Sequence, residues 1–341
     1  MATDTLSRKS GARIVAIGGG TGLSTLLRGL KNYVARRRQE VPRLPIADLA
    51  AVVTVTDDGG SSGRLRRDYA VLPPGDIRNC LVALSQDEPL LGELFQYRFN
   101  TGRGLRGHSF GNLFLTALSH VTGDFAEAVR VSGRVLAIRG RIFPSTTANV
   151  SLKAVMADGS VVRGETRIAK SKKKVRRIEL VPCRVQPLPE VLEAIAMADV
   201  ILLGPGSLYS SVIPNLLVEG VSEAIARSRA ARVYIANLMT QPGETRGLSL
   251  ADHLRAIFHH AGKRIIDWVV VNRRPASDAV ARRYELSGAE PVVVDVSELQ
   301  RLGLRCVFDD LLTEHGFVRH DPDRLTRLLL EEFVTRVPSR E

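Results

Sequence analysis

Thr54 to Arg67 reads TVTDDGGSSGRLRR: a β-branched run stops at two adjacent carboxylates and gives way to glycines, serines and arginines. Upstream, Ile14-Val15-Ala16-Ile17 runs straight into Gly18-Gly19-Gly20-Thr21-Gly22. A glycine-rich turn after a strand lets main-chain N–H groups approach an anion, and the helix that follows points its positive end at it. Two such strand ends predict a crevice at the carboxyl edge of a parallel sheet, where phosphate-bearing ligands bind. A nucleotide-type ligand is the first inference.

Outward from these turns the chain alternates. Strands are expected at 13–17, 49–55, 200–203, 232–236, 268–271 and 291–294, and helices at 24–38, 90–97, 109–121, 191–198, 217–227, 250–261 and 323–334. A further helix begins at Ile77, with Asp76 as its expected cap. Such alternation indicates a mostly parallel, Rossmann-like α/β sheet with helices on both faces. Between 141 and 187 the period changes to that of strands. Ser151–Met156 and Val161–Glu165 read as a hairpin turning at Asp158-Gly159, with a further strand at 176–181. The expected organisation is a loose tail (1–11), the first part of the core (12–140), a basic β-rich insertion (141–187), and the rest of the core with a C-terminal helix (188–341).

The 341 residues are 44% apolar, enough for a sizeable core. No run reaches the length of a membrane span and the first ten residues lack an apolar signal core, so a cytoplasmic protein is expected. Cys80, Cys183 and Cys306 are odd in number and widely spaced, which supports neither a disulfide framework nor a zinc site. The net charge of +12 concentrates between Arg163 and Arg184, nine basic residues against Glu165 and Glu179. With only 5% aromatic residues and none interleaved there, nucleic acid is disfavoured as a partner, leaving a solvated face or an acidic partner.

Each motif has a chemical and a plain structural reading. Gly18-Gly19-Gly20-Thr21-Gly22 suits a phosphate, yet the third glycine of a dinucleotide fingerprint would fall at Leu23, and no P-loop ending follows; a tight packing turn is the alternative. Asp57 and Asp58 can accept from sugar hydroxyls, hold Mg2+ against a diphosphate, or bond to their own Gly59-Gly60-Ser61-Ser62 turn. Arg78 and Asn79 fall in a first helical turn. His108 precedes a helix that Ser109 caps and that also carries Asn112. Gly204, Gly206 and Ser207 form a third loop of the anion-binding kind, and Asn237, with Gln241 to Thr245, follows another strand. Four polar loops after four parallel strands would converge on one edge. That convergence, more than any single motif, predicts the site.

The strings IGGGTGLSTLLRGL, VVTVTDDGGSSGRLR, PPGDIRNCLVALS, GHSFGN, LLGPGSLYSSVIPNLLV and ANLMTQPGET, in this order, resemble the YvcK-type gluconeogenesis factors, in the superfamily of CofD, the 2-phospho-L-lactate transferase. The resemblance implies a Rossmann-like core and binding of a UDP-sugar, chiefly UDP-N-acetylglucosamine. It also implies a role linking carbon supply to cell-envelope precursors and cell shape, with glucosamine-6-phosphate synthase as a partner. Carried over by position, UDP-sugar contacts would fall on Tyr284 and Arg319. The chain departs from the shorter family pattern in ARRRQEVPRLPIADL, between the first helix and second strand, and in its preceding tail. The first expectation is a regulator without turnover. A CofD-like transferase using Mg2+, and an NAD-linked enzyme with Asp57 on the ribose, are the alternatives, and assembly into a homo-oligomer stays open.

Overall fold

The computed structural model describes residues 11–35, 45–86, 89–314 and 317–335. Its strands are β1 (Ala12–Gly18), β2 (Ile46–Val53), β3 (Arg141–Pro144), β4 (Ser151–Met156), β5 (Val161–Arg163), β6 (Val175–Val181), β7 (Val200–Leu203), β8 (Ala231–Ile235), β9 (Trp268–Asn272), β10 (Arg305–Asp309), β11 (Leu312–Thr313) and β12 (Arg319–His320). Seven of them make one sheet in the order β10-β9-β8-β7-β1-β2-β3, and every pair in it is parallel. The chain winds outward from β1 to β3, then returns to the centre and winds the other way. This is the doubly wound Rossmann arrangement, with the reversal between β1 and β7.

The central strands are apolar at every position because both faces are covered. Ile14, Val15, Ala16 and Ile17 of β1 and all four residues of β7 are buried, as expected of parallel strands inside an α/β layer. Each fully buried Val, Leu or Ile contributes about 1.5 to 3 kcal/mol relative to its exposed state. Leu23, Leu26, Leu27 and Leu30 seat the first helix, Gly20–Leu30, in that core. The helix begins four residues before the expected Ser24 and ends in a single tighter turn at Lys31–Tyr33, where Val34 pairs with Ile46. The Arg36-Arg37-Arg38 cluster and most of the inserted ARRRQEVPRLPIADL segment lie outside the described residues, as does the tail before Gly11.

Several expectations need correction. Pro291–Val294 is not a strand: Pro291 makes one isolated bridge to Met239, while the edge of the sheet is β10, which pairs with β9. Pro291 has no N–H to give a ladder. Gly60–Tyr69, expected as a glycine-serine loop, is a helix, and so is Phe125–Val135. The helix expected at 217–227 starts only at Val221 (Val221–Arg227), after Gly220 in the left-handed region, and a separate short helix, Ile213–Leu216, precedes it. Arg141–Pro144, read with the insertion, pairs with β2 as the other edge of the main sheet. The expected hairpin is β4–β5, Gly159 at its turn has φ 83°, and β6 completes a three-stranded antiparallel sheet. The short helix Glu165–Ala169 follows β5 where the strand was expected to run on.

Candidate functional site

The carboxyl ends of β8, β7, β1 and β2 lie side by side, so the four loops do share one edge. At the reversal between β1 and β7 the loops after β1, β7 and β8 border a solvent-open cleft with about 820 Å³ of empty space. Gly19, Gly20, Thr21 and Gly22 line it from the first turn, Gly206 and Ser207 from the β7 loop, and Asn237 to Gln241 from the β8 loop. Tyr284 and Arg319, far apart in sequence, close it on the remaining side. Among the described residues no aspartate or glutamate lines this cleft. Its titratable groups are Arg319, Tyr284 and His320, and burial pushes His320 down to about 4, so it is neutral at pH 7.

Close packing of the two glycine loops shapes the cleft. A side chain at Gly22 would place its Cβ 2.3 Å from the carbonyl oxygen of Pro205, so only glycine lets the first helix approach the β7 loop. Gly18 and Gly204 stand just behind, at the ends of β1 and β7, and do not line the space. Asn237 holds the loops in register by donating its Nδ2 hydrogen to the Gly206 carbonyl at 2.9 Å. Gln241 donates to the Ser207 hydroxyl at 2.7 Å.

Two carboxylates of the chain itself take amides that a sequence reading assigns to a ligand. Glu244 accepts from the Tyr209 amide at 3.0 Å and the Ser210 hydroxyl at 2.7 Å, so the start of the helical segment after GPGS is filled internally. Burial raises the Glu244 pKa, against the pull of those hydrogen bonds. Asp76, expected to cap its own helix, sits inside the first turn of Gly75–Leu84 and caps nothing there. It faces the Gly20 amide instead, whose N–H draws its pKa down against the effect of burial. The Thr21 and Gly22 amides, at the start of the first helix and without intrahelical partners, remain on the cleft side.

Burial and the neighbouring charge of Asp57 push Asp76 up to about 6. The unfolded carboxyl titrates near 3.9, so the native state holds its proton more tightly. The favourable contribution is complete below about pH 4 and is lost as pH rises through about 6. Asp76→Asn is therefore expected to stabilise the protein by about 1 to 3 kcal/mol at pH 7.5 and to change little at pH 4. Urea unfolding at the two pH values checks this; equal effects at both would reject it.

The remaining predicted residues form a second, adjoining cluster rather than part of the cleft. Asp57 accepts from the Gly59 amide at 2.8 Å, the plain turn contact. Asp58 accepts from both the amide and hydroxyl of Thr166, at 2.9 and 2.6 Å. Ser61 pairs with His108 Nδ1 at 2.9 Å and accepts from the Asn112 amide group at 3.1 Å. Arg78 donates to Ser109, Asn112 and Asn79. Ser62 is buried beside Gly75. Desolvation, then Arg64, lowers the His108 pKa, which keeps the ring neutral. Partly buried Glu165 faces these acids and is pushed up to about 9, by burial first and then by Asp57, Asp76, Glu244 and Asp58.

Among the described residues no three His, Cys, Asp or Glu side chains are placed to hold a metal ion. With Asp58 committed to Thr166, a divalent ion beside Asp57 would draw most of its shell from a ligand's phosphates and water. Where a dinucleotide site carries its ribose-binding acid, just past the second strand, the chain has Thr54, buried and bonded to Thr56 at 3.1 Å. Sequence reasoning missed Met239, Val318 and His320, and gave Glu244 no role of its own within the Gln241 to Thr245 loop. None carries a local signal, because each reaches the site only through the sheet order.

No helix among the described residues is long and apolar enough to cross a membrane. Comparison with known proteins agrees with the geometry. Residues 14–312 match the family of 2-phospho-L-lactate transferase CofD. The gluconeogenesis factor of Halalkalibacterium halodurans is 49% identical over 319 residues, covering 93% of this chain and 95% of its own length. That of Bacillus subtilis is 46% identical over 320 residues, covering 94% and 97%. A crystal structure of a UPF0052 family member from Bacillus halodurans superposes with a TM-score of 0.88 at 47% identity, covering 94% of this chain and 99% of that one. A switch-point cleft on a doubly wound sheet, and identity at this level along almost the whole chain, place the protein in the CofD family, among the YvcK-type gluconeogenesis factors.

Proposed function

We propose that the protein is a UDP-sugar-binding regulator, with UDP-N-acetylglucosamine as its ligand, that couples carbon supply to cell-envelope precursor synthesis and cell shape. The observation that carries this reading is the make-up of the cleft. Among the described residues, main-chain amides at a helix start, one arginine, one tyrosine and no carboxylate are what a nucleoside diphosphate needs. Among the described residues the cleft presents main-chain amides and an arginine in place of an acid or a basic imidazole, a lining suited to holding an anion. On this reading the ligand reports envelope-precursor supply, and the response passes to a partner enzyme such as glucosamine-6-phosphate synthase.

The family match favours one second reading, a group transfer assisted by a divalent ion near Asp57. The Thr54 environment gives an NAD reading less support. Calorimetric titration with UDP-N-acetylglucosamine, NAD and GTP, with and without Mg2+, separates them. The expected result is saturable binding of UDP-N-acetylglucosamine alone, independent of Mg2+, with the ligand recovered intact. Metal-dependent conversion would establish the transferase instead.

A further inference from the structure

The three-stranded sheet β5-β4-β6 carries charge that its packing does not use. Its inner face is complete, with Leu152, Ala154, Met156, Ile178 and Leu180 all buried. Its outer face brings Arg163 and Glu179 opposite Lys153 on either side, and Val161 and Arg177 opposite Val155. Residues 151 to 184 hold ten basic side chains against three acidic ones. Glu179 is shared between Lys153 and Arg177, and Asp158 pairs with Lys173. Exposed Arg163, Lys172, Lys174 and Arg176 make no ion pair among the described residues. Crowding unpaired cations on one small sheet costs stability through self-repulsion, so the fold alone gives no reason for them.

The sheet is also a rigid platform. Thr166 ties it to Asp58 by two hydrogen bonds, the Ile178 amide donates to His260 at 2.9 Å, and Arg66 donates to the Val150 carbonyl at 2.5 Å. A preorganised face loses little freedom on binding.

We propose that the outer face of this sheet, with the Lys172–Lys174 turn at its rim, docks an acidic protein surface. The chemistry favours protein over nucleic acid. Glu179 sits on this face midway along β6, where it would repel a phosphate backbone, and 151 to 184 contain no aromatic ring on which a base could stack. Val155 and Val161 give the face an apolar centre within a charged rim, the layout of protein interfaces. The surface stands apart from the ligand reading, because none of its residues lines the cleft.

The test uses the full chain and a fluorescent poly-L-glutamate peptide as an acidic polypeptide probe, read by anisotropy at ~50 mM and ~300 mM NaCl. The sheet variant Arg163→Glu/Lys172→Glu/Lys174→Glu is compared with a charge-matched control, Arg103→Glu/Arg229→Glu/Arg327→Glu, at exposed positions elsewhere. Duplex RNA and phosphatidylserine vesicles are run as competing probes. The expected result is salt-sensitive peptide binding, weakened about tenfold or more in the sheet variant and within about twofold of wild type in the control. Both variants should keep the wild-type far-UV circular dichroism and a cooperative urea transition, which certifies the fold without calling on the cleft reading. The proposal is overturned by no peptide binding, by equal losses in both variants, or by tighter binding of RNA or vesicles through the same residues.

Discussion

Gly22→Ala is expected to lower stability by about 1 to 3 kcal/mol and to abolish ligand binding in the cleft. The added Cβ would fall 2.3 Å from the Pro205 oxygen and 2.6 Å from its carbonyl carbon, and both are backbone atoms that cannot turn aside. The first helix and the β7 loop must separate, and they are opposite walls of the cleft. Gly20→Ala is the informative comparison. Gly20 has φ +63°, but the nearest atom to its added Cβ is the Ser211 hydroxyl at 3.8 Å. There alanine meets only the left-handed backbone penalty, about 1 to 2 kcal/mol, with the walls left in place. Urea unfolding and calorimetry on both variants test the distinction. If Gly22→Ala binds as well as Gly20→Ala, contact between the loops does not form the cleft.

The asymmetry between these two glycines also shows what a sequence can and cannot display. That β1 ends in a turn followed by a helix is local: a buried β-branched run meets glycines, and the apolar spacing then changes to that of a helix. The same holds for β7 and β8, and parallel order follows from the alternation, so the shared edge was legible. The helix Gly60–Tyr69 was not. It opens with Gly-Ser-Ser-Gly, a poor helix start by propensity, and tertiary contacts offset the weakness, through Ser61 on His108 and Asn112. The strand expected at 291–294 was misread for the converse reason. Val292-Val293-Val294 looks like a core strand, whereas the true edge, Arg305–Asp309, is flanked by charges suited to a half-exposed position.

The partition of the site had the same origin. Nothing near Asp57-Asp58 reveals that Thr166, 108 residues on, satisfies Asp58, or that Asp76 faces the Gly20 amide. A loop of glycines and acids reads as a ligand cradle until the chain's own donors are counted. Tyr284 and Arg319 are the opposite case. Resemblance alone pointed to them, no local pattern did, and they lie on the cleft because the segment after β9 folds back across the carboxyl edge of the sheet.

That return path makes the two residues interdependent. The Tyr284 hydroxyl accepts a hydrogen bond from the Val318 amide at 2.9 Å, so the ring anchors the backbone immediately before Arg319. Arg319 belongs to β12, which among the described residues pairs with β11 only at Leu312↔His320 and Thr313↔Arg319 and cannot fix the guanidinium by itself. If Arg319 neutralises a diphosphate, Arg319→Ala should weaken UDP-N-acetylglucosamine binding by about 1.5 to 3 kcal/mol, the range for a hydrogen bond to a charged group. Tyr284→Phe keeps the ring but strands the Val318 amide, at a cost of about 1 kcal/mol or more, and releases the strand that aims the arginine. The double variant should therefore lose less than the sum of the two single losses, with a coupling of about 0.5 to 1.5 kcal/mol. Calorimetry on the four proteins measures it. Strict additivity would mean that Tyr284 meets the ligand independently of Arg319, and full binding by Arg319→Ala would leave the arginine a surface charge and move the diphosphate elsewhere.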